Sequence, residues 1–161
     1  MRDILFRGQT RRPGEKVRIN GEKVPGNWVY GGVFPGTGDF SIIYGSADKN
    51  LTGKNLDKRL VYSDTVGQFT GKCDKTGTKA FEHDCVRELH YGTIGVIQYG
   101  EYQSRISDGL FSCHIGFYVD WLSGRNKDVL RKDLRYWLDC GAEIIGNIHD
   151  NPELLKGGDT V

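Results

Sequence analysis

Proline is scarce, four residues in 161, against twenty-three glycines. That combination excludes a collagen-like repeat and a Pro-rich disordered tract. No window approaches the ~18 apolar residues of a membrane helix. The opening segment has only Ile4-Leu5-Phe6 in a row, too short for the core of a signal peptide, so a cytoplasmic protein is expected. Net charge is almost missing: 22 Lys+Arg against 21 Asp+Glu leaves +1. A whole-molecule field that holds nucleic acid by charge alone is therefore not expected. There is no G-x-G-x-x-G, no phosphate-binding loop and no nucleophile elbow. The four cysteines (Cys73, Cys85, Cys113, Cys140) and four histidines (His83, His90, His114, His149) include no tight C-x2-C pair. Adjacent Cys113 and His114 would point to opposite faces of a strand. Free thiols, no metal and no cofactor are expected.

What is present reads as β-structure. Apolar residues make up 37 %, including seven Phe, eight Tyr and three Trp, enough for a packed core at this length. Glycines separate short β-branched and aromatic runs, the pattern of many short strands with tight turns. Residues 4–6, 28–30 and 40–44 read as strands, with Asn20-Gly21, Pro25-Gly26 and Pro35-Gly36 as turns. Residues 46–59 are polar and read as a loop. Asp74-Lys75-Thr76-Gly77 predicts a type I hairpin turn closed by a left-handed Gly. Strands are predicted over 85–91 and 93–99, bent at Gly92. Residues 111–121 alternate with period two and predict a strand that buries Phe111, Cys113, Ile115, Phe117, Val119 and Trp121, with a bend at Gly116. His114 falls on its polar face. One helix is predicted over about 126–140, from the stripe Leu130, Leu134, Trp137 and Leu138. Asn126 or Asp128 would cap it and Gly141 would end it. Residues 143–148 read as a last strand and 151–154 as a turn.

Three blocks carry a family resemblance. The first pairs residues 1–8, Met-Arg-Asp-Ile-Leu-Phe-Arg-Gly, with Asn27-Trp28-Val29-Tyr30-Gly31. The second is Thr65-Val66-Gly67-Gln68-Phe69-Thr70-Gly71, then Asp74-Lys75-Thr76-Gly77, then residues 79–87 with Glu82-His83-Asp84-Cys85. The third is Ile145-Gly146-Asn147-Ile148-His149-Asp150-Asn151-Pro152-Glu153-Leu154-Leu155. In this order they resemble the YopX family of phage- and prophage-encoded proteins. The resemblance implies a mainly β fold containing a small SH3-like barrel; joined to the strands and the helix read above, the expected architecture is that barrel with an N-terminal β extension and one helix near the C-terminus. On this chain that gives a single domain with an N-terminal β region at 1–63 and the barrel part at 64–161. It implies no activity, and no catalytic residues carry over. Trp28, Gly67, Gln68, Thr70, Gly71, Gly77, Glu82, Asp84, Gly146, Asn147 and Pro152 are signature positions with an expected structural role. Two positions depart from the family pattern: His83 stands where it has Gly, and Cys85 where it has Ile. A Gly there marks positive φ, which His adopts only at some cost.

Two function classes remain. The sequence points toward a non-enzymatic binding or assembly module, with a homo-oligomer or an unidentified phage or host protein as partner. Its rival is a small metal-dependent hydrolase built on Asp84, His83 and His149, suggested by the His83-Asp84 and His149-Asp150 dipeptides. Glu82 and Asp84 would share a strand face, yet Asp84 at a strand start is suited to accept backbone N–H groups. Residues 1–26 hold seven basic and three acidic side chains. Arg7, Arg11, Arg12, Lys16 and Arg18 are therefore the candidate nucleic-acid contacts. The expected core is Trp28, Phe69, Phe81, Ile94, Phe117, Val119 and Ile148.

Overall fold

A computed structural model of the chain describes residues 4–10, 18–19, 22–23, 28–36, 38–46, 56–107, 109–122 and 133–156. Among these residues the fold is mainly β, with antiparallel sheets and one short helix near the C-terminus. It divides into two compact units, Met1–Phe69 and Thr70–Val161.

In the first unit the strands are β1 (Phe6–Gln9), β2 (Arg18–Ile19), β3 (Glu22–Lys23), β4 (Trp28–Phe34), β5 (Phe40–Ser46), β6 (Leu56–Tyr62) and the start of β7 (Gly67–Cys73). The main sheet runs β6-β5-β4-β1-β7, and β2 pairs with β3 as a separate two-stranded ladder. The polar segment read as a loop over 46–59 is shorter than expected, because β6 pairs with β5 along its whole length. Ile43 and Val61 form the buried centre. Gly8 lies against them so closely that a Cβ there would sit 2.9 Å from Val61 Cγ2. The buried Gln9 donates its N–H to Thr65 Oγ1 at 2.8 Å. Trp28, expected in the core, is half-buried and lies under the Arg7 guanidinium, 4.5 Å from its ring centroid.

The second unit continues β7 and adds β8 (Lys79–Phe81), its neighbour in the sheet. The turn between them has the expected form. Gly77 N–H donates to Asp74 O at 3.0 Å and Gly77 sits at φ +88°. A second sheet follows, in the order β11-β10-β9-β12, from β9 (Asp84–Arg87), β10 (Ile94–Ser107), β11 (Leu110–Trp121) and β12 (Glu143–Asn147). Gly92 takes φ +68° at the predicted bend. β10 is longer than the 93–99 expected. Both sheets are open ladders, and no closed barrel forms among the described residues.

The core of this unit is Ala80, Val86, Ile97, Val119, Trp121, Leu134, Leu138 and Ala142, with Phe117, Trp137 and Ile144 packed against it. Of the expected core, Phe69, Phe81 and Val119 are buried, whereas Ile94, Phe117 and Ile148 are only half-buried. The helix α1 is Leu134–Asp139, far shorter than the periodicity suggested. Asp133 caps it by accepting from Tyr136 N, so the cap is neither Asn126 nor Asp128, which lie with Leu130 outside the described residues. Leu134, Trp137 and Leu138 do form the packing stripe, and Gly141 follows the helix at φ +93°.

Candidate functional site

The signature residues of the second unit build turns and tie them to strands. Asp74 is buried at the hairpin turn. Its Oδ1 accepts from Thr76 N, Thr76 Oγ1 and Thr78 N, while Oδ2 accepts from Ile144 N on β12 at 3.0 Å. Burial alone would raise its pKa. The hydrogen bonds outweigh that and hold it below its ordinary 3.8. Asp84 is buried as well, and its Oδ2 accepts from Phe81 N at 2.7 Å. Asn147 organises the turn after β12: its Oδ1 accepts from His149 N and Asp150 N, and its Nδ2 donates to Asp150 Oδ2. Gly146 at φ +153° leaves room for Asn151, whose Oδ1 would lie 2.3 Å from any added Cβ. Pro152 opens a 3-10 turn, Pro152–Lys156. Thr70 Oγ1 accepts from Lys72 N, Gly71 takes φ +81°, Gly67 is buried, and Gln68 and Glu82 are half-buried.

His83 has φ +70° and is the one non-glycine with positive φ among the described residues. This is the conformation that the family's Gly implied. Its N–H donates to Ile97 O, and its own carbonyl accepts from Ile148 N. Those bonds bring the turn before β9 onto the turn after β12, and the two imidazoles meet. His149 Nε2 lies 3.5 Å from His83 Nδ1, with the rings edge to face. Two members of the hydrolase trio thus converge, while the carboxylate of the third, Asp84, is buried at the Phe81 N–H. Among the described residues no three His, Cys, Asp or Glu side chains form a metal-holding group. Cys85 is fully buried, and burial, with Asp84 and Glu153 nearby, pushes its thiol up to about 11. Cys73, Cys113 and Cys140 are exposed, and all four thiols are free.

The basic N-terminal candidates divide. Arg11, Arg12 and Lys16 lie outside the described residues, and Arg18 is placed only as a backbone position in β2. Arg7 is 7 % exposed and packed over Trp28, so it is not a surface contact for nucleic acid. Its position in β1, at the centre of a sheet, explains the burial.

The feature that alternation misplaced is the β10–β11 hairpin. Its ladder runs from Gly95↔Trp121 to Ser107↔Leu110, continuous through Gly100↔Gly116, with the irregularity at Arg105/Ser107 instead of Gly116. β9 pairs with β10 only at Ile94, Gly95 and Val96. The apolar face of β11 is therefore buried only at its base, at Val119 and Trp121, where α1 covers it. Farther out, Phe111 is 56 % and Ile115 77 % exposed, with Tyr99 across from Phe117 at 55 %. On the other face Tyr102 stacks with His114 and Tyr118, each 5.2 Å between centroids, across the side-chain-free Gly100↔Gly116 pair. The sequence marked a buried face correctly at one end; a period-two pattern cannot say where the covering layer stops.

An open antiparallel β protein with tightly tied turns and an exposed aromatic hairpin is the class these observations define. The YopX protein family matches residues 37–156, and the chain belongs to it. No curated protein matches the chain. No described helix is long and apolar enough to cross a membrane.

Proposed function

We propose that this chain is a phage- or prophage-encoded assembly module without enzymatic activity, working as a homo-oligomer through the outer half of the β10–β11 hairpin. The observation that supports this reading is the apolar face carried beyond the core by Tyr99, Phe111, Ile115 and Phe117. A two-stranded hairpin is marginal in water by itself, and large apolar side chains grouped on one face mark an interaction surface. A second copy suits that face. Glu101 is the one charged group among its described side chains, and a nearly neutral molecule adds little long-range repulsion. A strand edge is also self-complementary under a two-fold axis.

Gel filtration with light scattering at micromolar concentration tests this. The wild type should elute as a sharp multiple of 18.1 kDa. Ile115→Lys should elute as a single chain that still unfolds cooperatively, because the side chain makes little contact within its own chain; its melting temperature should fall only by what association had contributed. A wild-type mass of one chain overturns the reading.

A further inference from the structure

We propose that His83 and His149 form a two-histidine site for a divalent transition metal ion of the zinc or copper type. The argument starts from backbone conformation. His83 occupies a left-handed position that favours glycine, so an imidazole is held there against a local conformational cost. Its ring meets that of His149, which comes from a turn on a different strand, sixty-six residues away.

The spacing fits chelation. Zinc–nitrogen bonds of about 2.0–2.1 Å at the tetrahedral angle place two donor nitrogens about 3.3–3.4 Å apart. His83 Nδ1 and His149 Nε2 are 3.5 Å apart. As a hydrogen bond that distance is at the long limit, whereas as the bite of two ligands it requires a shift of only about 0.1–0.2 Å. Neutral imidazoles present a ring lone pair to such an ion, and histidine is the commonest ligand for it.

Both ligands are held in advance by their main chains. His83 is bonded through N–H and C=O to Ile97 and Ile148, and His149 N–H is fixed by Asn147 Oδ1. Register then joins the two turns, since Asn147 pairs with Asp84 across β12 and β9. Preorganisation of this kind spares the ion the ordering of its ligands. Both histidines are half-buried, which leaves a path for a hydrated ion. No third described side chain completes the set, so water would fill the remaining positions. This inference is independent of the assembly surface.

The test is titration of the full chain with Zn2+ and, separately, Cu2+, followed by calorimetry and by the imidazole signals in NMR. The background is Cys73→Ser/Cys113→Ser/Cys140→Ser, which removes the exposed thiols. Saturable one-to-one binding that shifts the His83 and His149 rings, and leaves His90 and His114 in place, is expected. His83→Gly, which suits the left-handed backbone and keeps the fold, should abolish that binding, and so should His149→Gln. His114→Ala should leave it intact. Absence of saturable binding in the folded parent overturns the proposal, as does binding that persists in folded His83→Gly.

Discussion

Replacing Asp74 probes the junction of local turn and long-range pairing. Its carboxylate takes four donors, three from its own turn and one from Ile144, seventy residues away. Thr76 and Thr78 are exposed, so in Asp74→Ala water replaces most of the turn bonds, for about 1 kcal/mol in total. Ile144 N–H, which is only partly solvated, loses a charged acceptor worth about 1.5–3 kcal/mol. The expected cost is about 2.5–4 kcal/mol. Asp74→Asn keeps an acceptor oxygen for the turn but gives Ile144 an amide NH2, and should lose about 1.5–3 kcal/mol. Thr76→Ala should stay within about 1 kcal/mol. The sign with pH follows from the depressed pKa. The wild-type bonus is complete above 3.8 and disappears as pH falls through the lower folded value. Urea titrations at pH 7 and across pH 5 to 2 read both effects, and Asp74→Asn should flatten the acid limb. A loss below ~1 kcal/mol for Asp74→Ala at pH 7 would mean that the Asp74–Ile144 bond adds nothing to stability.

Other outcomes follow from the same packing. Gly95→Ala puts a Cβ 2.5 Å from Val119 Cγ1 and 2.8 Å from Trp121 Cε3 in the core; it should cost at least about 1–3 kcal/mol by denaturant titration. His83→Gly in metal-free buffer should gain about 0.5–1 kcal/mol, since relief of the left-handed strain exceeds the added entropy of the unfolded chain. Phe117→Ala, which a fully buried site would make a loss of about 3–5 kcal/mol, should cost less than about 3 kcal/mol because the ring is only half-covered. Alkylation of the native protein at pH 8, resolved by mass spectrometry, should modify Cys73 and Cys140 and spare buried Cys85 until urea unfolds the chain.

The turns were the most legible part of the fold. Asp74-Lys75-Thr76-Gly77, Gly92, Gly141 and the left-handed His83 are local, and local chemistry is written in consecutive residues. Asp74's bond to Ile144 and the meeting of His83 with His149 depend on strand order, which no spacing reveals. The helix failed at its start, because the apolar stripe cannot show that the chain caps at Asp133. Arg7 belongs to a basic segment in the sequence, yet its central strand places it over Trp28. The alternation over 111–121 carries the strand and its inner end, but burial of its outer half requires a covering layer that none of the described residues supplies there.

Cys113 reports directly on assembly through the outer hairpin face, because it lies on that face between Phe111 and Ile115. The decisive measurement is the alkylation rate of Cys113 relative to exposed Cys73 and Cys140, across a range of protein concentration. Cys113 should be slow at micromolar concentration, reach the rate of the other two on dilution, and do so at every concentration in Ile115→Lys. A Cys113 that reacts as fast as Cys73 and Cys140 in the concentrated wild type means that this face is not an interface between copies.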